Sequence, residues 1–398
     1  MTKNNRLTEL DVLRGFAVAV MILVTSPGSW AYTYPQMQHA DWHGWRFADL
    51  VFPDFLFGVG MALGLTFVRA LGPARDRRSF WLKIGRRVVS LIALGLALNF
   101  LYILTFDLGK PPIRAGDPQS LRIPGVLQRI AFSYLIAVSI LHLTAVRKAG
   151  EKARINTTAI GFAIAAILLT YWALMTFVPV PGLGAGQLDQ TGNLASYLDR
   201  AIFTPKHMWE IGSVEWAGPV VYDPEGLLST LPATANVLFG IIAIRIWQSE
   251  KMSRITLLLA IGVALIAAGL LLDESFPINK KIWTSSFALL SSGFSFIALL
   301  VAAAILRAGP VRFLSEPFRV LGGNAILAFS LSIVITVGWS IPLTGGESPQ
   351  TLQDFSMGIA NAVIPDPYLA SLACAFTVLA FIFMLVWPLH RNAIHLRL

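Results

Sequence analysis

Six ionisable side chains crowd the junction between the first two apolar stretches of this chain: His39, Asp41, His43, Arg46, Asp49 and Asp54. Ionisable groups at a membrane boundary cost free energy to desolvate, so such a cluster marks a candidate functional site. A neutral histidine can accept a proton near physiological pH, or act as a nucleophile if it can be acylated. Either Asp41 or Asp49 could fix the tautomer of that histidine, as the third member of a catalytic triad does.

A metal site is the competing interpretation of the two histidines, which lie four residues apart with Asp41 between them. The glycine and aromatic residues around them do not favour the helix that would align the two rings, and no HExxH pattern is present. The single cysteine, Cys374, lies in the last apolar stretch and offers no zinc site. We therefore expect acid–base or nucleophilic chemistry without a metal.

The composition places this cluster in a membrane protein. The 398 residues are 55% hydrophobic and 13% charged, whereas soluble domains carry about 25% charged residues. A membrane span needs about 20 apolar residues, and about ten such stretches begin near Leu10, Ala48, Val88, Val126, Ile155, Leu227, Ile255, Thr284, Val320 and Tyr368. Because each span must satisfy its own backbone hydrogen bonds, the sequence predicts an all-α, polytopic membrane bundle. Residues 1–398 contain no linker or low-complexity tract, so we expect one domain.

Lysine and arginine are divided unequally between the two sides of this bundle. Most of the 31 basic residues fall on the side that carries both termini, and the positive-inside rule makes that side cytoplasmic. The first apolar stretch lacks a clear cleavage site, so we expect an uncleaved span. The net charge of +9 then reflects topology and is not a sign of nucleic-acid binding. The histidine cluster is predicted to face outward.

Two further segments could bind ligands. The long outer loop 177–226 places aromatic residues near Asp223 and Glu225; rings that stack and acids that bond hydroxyls suit a sugar, although interfacial aromatics also form belts. The inner stretch 69–87 is densely basic. Topology and anionic lipid explain such a stretch, and a cytosolic anionic ligand such as a nucleotide cofactor is the alternative.

Several motifs occur in a fixed order across nearly the whole chain. They are LDVLRG at 10–15, HADWHG at 39–44, ADLVFP at 48–53, LRIPGVLQRI at 121–130, YDPEGLL at 222–228, FPINKKIW at 276–283 and LGGNA at 321–325. In these motifs the chain resembles the heparan-α-glucosaminide N-acetyltransferase family of transmembrane acetyltransferases, and in particular its bacterial members associated with N-acetylglucosamine use.

The resemblance implies an enzyme that takes acetyl from cytosolic acetyl-CoA and delivers it to the amine of glucosamine, or of a terminal glucosaminide, outside the membrane. The family's active histidine carries over to His39, with Asp41 and Asp49 as orienting carboxylates. The expected partners are acetyl-CoA, a hexosamine and the lipid bilayer, without a metal; a homodimer is left open. In the absence of a long N-terminal luminal domain, a bacterial inner membrane is the expected location.

Binding residues follow from the same resemblance. Contacts to the sugar are expected from Trp42, Asp223, Glu225, Asn279, Lys280 and Trp283. The pantetheine arm must thread into a hydrocarbon core about 30 Å thick, so contacts to CoA are expected from Arg86, Arg87, Arg129 and Asn324. The chain departs from the family pattern at Thr25 and Ser26, where asparagine is frequent, and at Asp54, where an apolar residue is usual.

Two other functions share some of these features. A membrane O-acyltransferase would carry a histidine about ten residues after an early arginine, and the stretch after Arg14 contains none. A sugar transporter without chemistry would share the polar cavity, but the inverted repeats typical of transporters are not evident.

Overall fold

The fold is an all-helical bundle. The computed structural model describes residues 7–70, 77–106, 120–146, 154–215, 218–249, 253–344 and 350–395. Its helices are α1 (Thr8–Thr25), α2 (Val51–Ala70), α3 (Arg77–Phe106), α4 (Val126–Thr144), α5 (Thr157–Phe177), α6 (Leu194–Phe203), α7 (Thr230–Trp247), α8 (Arg254–Leu272), α9 (Ser285–Arg307), α10 (Glu316–Gly323), α11 (Ala325–Trp339), α12 (Leu352–Val363) and α13 (Pro367–Arg391). Within these ranges, β-type pairing occurs only as isolated bridges.

The helices confirm a polytopic membrane protein. Eight helices in the described part of the chain are long and apolar enough to cross a membrane, and α10 with α11 makes a ninth span if the bent pair counts as one. Helix α1 corresponds to the first predicted stretch but carries Glu9, Asp11 and Arg14. Each predicted apolar stretch therefore corresponds to a helix.

The ninth predicted stretch is a broken helix rather than a straight one. Helices α10 and α11 meet at an angle of 81°, and Asn324 between them has a non-helical backbone conformation. The preceding glycines bring α10 against α1: a Cβ atom at Gly322 would lie 1.8 Å from the carbonyl oxygen of Asp11. Only glycine permits this backbone approach, so Gly322 allows α10 to pack closely against the first span.

Two segments that are far apart in the sequence pair to build the candidate site. Gly44 forms an isolated parallel bridge with Asn279, and the amide of Gly44 donates to the carbonyl of Ile278 over 2.7 Å. The first segment leads into α2, which packs against α1, α7 and α9. The second segment leads into α9. Backbone pairing between the two segments therefore positions the site next to the first residues of α2 and α9.

Candidate active site

The centre of the site is a hydrogen bond between His39 and Asp49. Nδ1 of His39 lies 2.8 Å from Oδ1 of Asp49. The other oxygen of Asp49 accepts the backbone amides of Ala40 at 3.1 Å and Arg46 at 2.9 Å, and the carboxylate is only 1% exposed. A fixed, buried carboxylate holds the proton of the neutral imidazole on Nδ1, so the lone pair of Nε2 is available. This is the arrangement of a general base with its orienting group.

Asp41, the other orienting carboxylate expected from the sequence, takes a different position. Its side chain is 95% exposed and lies 3.6 Å from the guanidinium of Arg46. Its backbone carbonyl, rather than its carboxylate, accepts a hydrogen bond from Nζ of Lys281. The structure therefore brings Asp49, and not the carboxylate of Asp41, to the ring of His39.

Lys280 faces the free nitrogen of His39. Its Nζ lies 3.3 Å from Nε2, and the His39 side chain is 42% exposed because it opens towards a cavity. Burial lowers the pKa of His39 below its usual 6.5, the charge of Lys280 lowers it further, and Asp49 only partly offsets both effects. His39 is therefore neutral, and able to accept a proton, at a lower pH than an ordinary histidine.

Arg122, Asp223 and Glu225 form a buried ion cluster near His39. Nε and Nη2 of Arg122 donate to the two oxygens of Asp223 at 2.9 and 2.6 Å, and Nη2 also donates to Glu225. Asp223 additionally accepts the amides of Trp209 and Glu225. Burial opposes charge on Arg122, but Asp223 and Glu225 outweigh that penalty and raise the pKa of Arg122. Burial likewise opposes ionisation of Glu225, yet Arg122 lowers the pKa of that carboxyl.

A cavity of about 580 Å³ connects these groups with the helical bundle. His39, Lys280 and Glu225 line this cavity together with residues of α1, α3, α4 and α11, which are Met21, Leu98, Asn99, Gln128, Phe329 and Ile333. Its size is typical of a small-molecule site. A linear group could thus extend from the interior of the bundle to the ring of His39.

An aromatic surface adjoins this cavity. The indole of Trp42 donates to the carbonyl of Leu188 over 2.8 Å and packs edge-on against Tyr222, with ring centroids 5.0 Å apart. Nζ of Lys281 lies 5.9 Å from the ring centroid of Trp42 and 5.4 Å from that of Tyr222. Burial, and then the neighbouring charge of Lys280, lower the pKa of Lys281 to about 8. Trp42 is partly exposed whereas Tyr222 is buried, so Trp42 is the ring of this pair that could stack on a sugar.

Thr25, Ser26 and Asp54, where the chain departs from the family pattern, differ in their position relative to the cavity. Thr25 lines the cavity, and its hydroxyl donates to the carbonyl of Met21 over 2.9 Å. The hydroxyl of Ser26 instead meets that of Thr336 at 2.9 Å. Asp54 is buried within α2 and is not among the described residues that line the cavity. Thr25 is therefore the departure that can touch a ligand in this cavity.

Several predicted binding residues have structural contacts instead. Trp283 is fully buried, and its indole donates to Asn236 over 3.0 Å. Asn279 accepts the amide of Ile282 at 3.0 Å and is also buried. The prediction of sugar contacts from Trp283 is thus corrected, because a side chain with no exposed surface cannot stack on a sugar. Both residues hold the turn that presents Lys280.

Arg129 and Asn324, which are predicted to contact CoA, also have structural contacts, and their contact with CoA stays a prediction. Arg129 is buried beneath Trp283, 4.8 Å from its ring centroid, and donates to the carbonyl of Gly226 over 3.2 Å. Asn324 donates to the carbonyl of Ile394 over 3.1 Å. Neither is among the described residues that line the cavity. Both satisfy backbone carbonyls at breaks between helices.

Arg86 and Arg87 lie towards the other end of α3. Arg86 lines a shallow surface depression with Arg78 and Lys83, and Arg87 lies over Tyr134, 4.6 Å from its ring centroid. Thirteen residues separate Arg86 from Asn99, which corresponds to about 20 Å along a helix. Their contact with a CoA phosphate stays a prediction.

Comparison with known proteins supports the motif assignment. Residues 6–182 match the family model of the catalytic region of heparan-alpha-glucosaminide N-acetyltransferase. The human protein of that name is 28% identical over 362 residues, covering 81% of this chain and 52% of the human protein. The mouse protein is 27% identical over 363 residues, covering 82% and 53%. The chain thus spans about half the length of these curated relatives. These matches show that the chain is similar to the heparan-alpha-glucosaminide N-acetyltransferases, and they support the family that its sequence motifs resemble.

Proposed function

We propose that this protein is a membrane-embedded acetyltransferase that moves acetyl from acetyl-CoA to the amine of glucosamine or of a terminal glucosaminide. The observation that carries the proposal is the His39–Asp49 pair, whose Nε2 faces Lys280 in a cavity that is also lined by residues of the helical bundle. The names of the human and mouse relatives support acetyl transfer to the nitrogen of a glucosaminide. The partly exposed ring of Trp42, which packs against Tyr222, provides a place for the sugar ring.

In the direct route, His39 acts as general base. Nε2 accepts a proton from the acceptor nitrogen as that nitrogen attacks the thioester carbonyl. The new C–N bond forms while the C–S bond breaks, and CoA leaves as the thiol. Asp49, hydrogen-bonded to Nδ1, stabilises the imidazolium that forms. In the alternative route, Nε2 attacks first and passes the acetyl group to the amine. Sequential steady-state kinetics would rule out the route through acetyl-His39. Trapping of acetyl-His39 would support that route.

The two substrates approach from opposite sides in this proposal. Acetyl-CoA binds from the cytoplasmic side of a bacterial inner membrane, with both termini on that side, and the pantetheine arm enters the cavity. The hexosamine binds from the outside. The distribution of lysine and arginine between the loops supports this orientation, and the extension of the cavity among α1, α3, α4 and α11 supports the threading.

The proposal is tested by release of CoA thiol from acetyl-CoA by purified protein in detergent, with and without glucosamine. The expected result is release that requires the amine, with N-acetylglucosamine formed in equal amount. Release without N-acetylation of any hexosamine tested would contradict the assigned acceptor. Uptake of hexosamine into proteoliposomes without consumption of acetyl-CoA would instead favour a transporter.

The two carboxylates near His39 should differ in their effect on turnover. We expect Asp49→Asn to lower kcat by about 100-fold, because the amide leaves the tautomer and the imidazolium of His39 without their support. The matched variant is Asp41→Asn, which neutralises a carboxylate that is 95% exposed and should change kcat by less than about twofold. Equal losses in the two variants would contradict the assignment of Asp49 as the orienting group.

The pH dependence of kcat/KM should carry the signature of the lowered His39 pKa. His39 works as a base only when it is deprotonated, so a lowered pKa extends activity to more acidic pH. The acid-side decline of kcat/KM should therefore have its midpoint below pH 6.5. Lys280→Met removes a charge that lowers this pKa and should move the midpoint to higher pH. Lys281→Met is the matched control and should leave it in place. A midpoint that does not respond to Lys280 would contradict the proposed coupling.

A further inference from the structure

A primary amine of the protein already lies where the acceptor amine must bind. Nδ1 of His39 is bonded to Asp49, so Nε2 is the atom that can accept the proton of an attacking nitrogen. Nζ of Lys280 lies 3.3 Å from that atom. This is the hydrogen-bonded distance expected between a general base and the nitrogen that it deprotonates.

Lys280 is also exposed to the same ligand space as His39. Both side chains line the cavity that enters the bundle. The backbone that carries Lys280 is fixed, because neighbouring Asn279 is buried and bridges to Gly44. A thioester carbonyl that reaches the acceptor position beside Nε2 therefore reaches Nζ of Lys280 as well. Such positioning makes the reaction between Nζ and the bound thioester effectively unimolecular.

On the basis of the acetyltransferase function proposed above, we propose that Lys280 is a self-acetylation site that reacts when the amino sugar is absent. The Lys280 ammonium and acetyl-CoA give Nε-acetyl-Lys280, CoA thiol and one proton. The Nζ–C bond forms and the C–S bond breaks. One of the two protons lost from Nζ passes through Nε2 of His39 to solvent, and the sulfur takes up the other. The amino sugar competes by displacing Nζ from His39.

Acetylation of Lys280 would inactivate the site. Acetylation removes the charge of Lys280 and leaves a neutral amide beside Nε2, in the position that the acceptor amine needs. An amide is far more stable than a thioester, so the modification persists after acetyl-CoA is removed. The site would thereby lose activity when acetyl-CoA is present and amino sugar is scarce.

The adjacent lysine provides an internal control. Nζ of Lys281 donates to the carbonyl of Asp41 over 2.6 Å and lies over the rings of Trp42 and Tyr222. Lys281 has its pKa lowered to about 8, so its amine is more readily deprotonated than that of an ordinary lysine. Unassisted chemical acetylation should therefore favour Lys281, whereas acetylation assisted by His39 should favour Lys280.

The experiment incubates the purified full-length chain with acetyl-CoA alone and quantifies acetyl groups on both lysines by peptide mass spectrometry. Acetylation of Lys280 should exceed that of Lys281 by at least about tenfold and should fall by about 100-fold in His39→Ala. Added glucosamine should protect Lys280 in the wild-type chain, a readout that does not depend on the folding of a variant.

Three results would overturn the proposal. Acetylation that favours Lys281, or that is unchanged by both His39→Ala and glucosamine, would be chemical rather than site-directed. Acetylated glucosamine without acetyl-Lys280 would reject the modification site and leave the proposed function standing. Absence of acetyl from both Lys280 and glucosamine would reject the proposed function and this inference together.

Discussion

Replacement of His39 by alanine is expected to lower the kcat of amine-dependent CoA release by about 10⁴-fold, at the upper end of what a general base or nucleophile contributes. Nε2 is the nitrogen of the site that is free of a carboxylate partner, since Nδ1 is held by Asp49. Its loss removes the proton acceptor in the direct route and the acetyl carrier in the other. The loss should appear in kcat more than in KM, because the stacking surface for the sugar remains.

His43→Ala is the matched control for this measurement. His43 lies four residues from His39 in the same loop, and its side chain is exposed. Its Nδ1 lies 3.4 Å from the side-chain amide nitrogen of Asn279. Its removal should change kcat by no more than about twofold, as for other exposed positions. An active His39→Ala enzyme, or equal losses in the two variants, would contradict the role of His39.

The helical spans were predictable because hydropathy along a segment determines whether it can cross a membrane. The bend at Asn324 was not, since a window of about 20 residues averages over a two-glycine break. The same averaging led to the assignment of Asn324 to the cavity. A polar residue in a straight span would face the bundle interior, but at a helix break it is used to satisfy a backbone carbonyl, here that of Ile394.

The catalytic candidates were predictable in type but not in pairing. His39 and both nearby acids stood out in the sequence, yet the choice of Asp49 depends on the short 3₁₀ turn Phe47–Leu50, which buries that carboxylate against the amide of Arg46. The contact of Lys280 with His39 joins loops 241 residues apart. One sequence carries no information on such a pairing. The cluster of Arg122 with Asp223 and Glu225 was missed for the same reason, although both segments lie in recognised motifs.

The second large effect is expected from Arg122→Met, which should lower the free energy of unfolding by about 3–5 kcal/mol. The side chains of Asp223 and Glu225 are 0% and 7% exposed, and Arg122 is the cation bonded to both. Methionine fills a similar volume but removes the cation bonded to both carboxylates, and only the more distant charges of Arg129 and Lys280 then act on Glu225. Asp223 also accepts the amide of Trp209, so its displacement would disturb the loop that forms the cavity wall. The measurement is thermal or denaturant unfolding in a fixed detergent.

Two variants separate this buried cluster from an ordinary ion pair. Arg319→Met breaks a solvent-exposed pair with Glu316 one turn away and should cost less than about 1 kcal/mol. The triple variant Arg122→Met, Asp223→Asn, Glu225→Gln removes all three charges and should recover part of the loss, because the cost comes from the unpaired carboxylates rather than from the absent arginine. If Arg122→Met lowers the free energy of unfolding no more than Arg319→Met does, the cluster does not stabilise the cavity wall. If the triple variant is less stable than the single one, unpaired charge is not the cause of the loss.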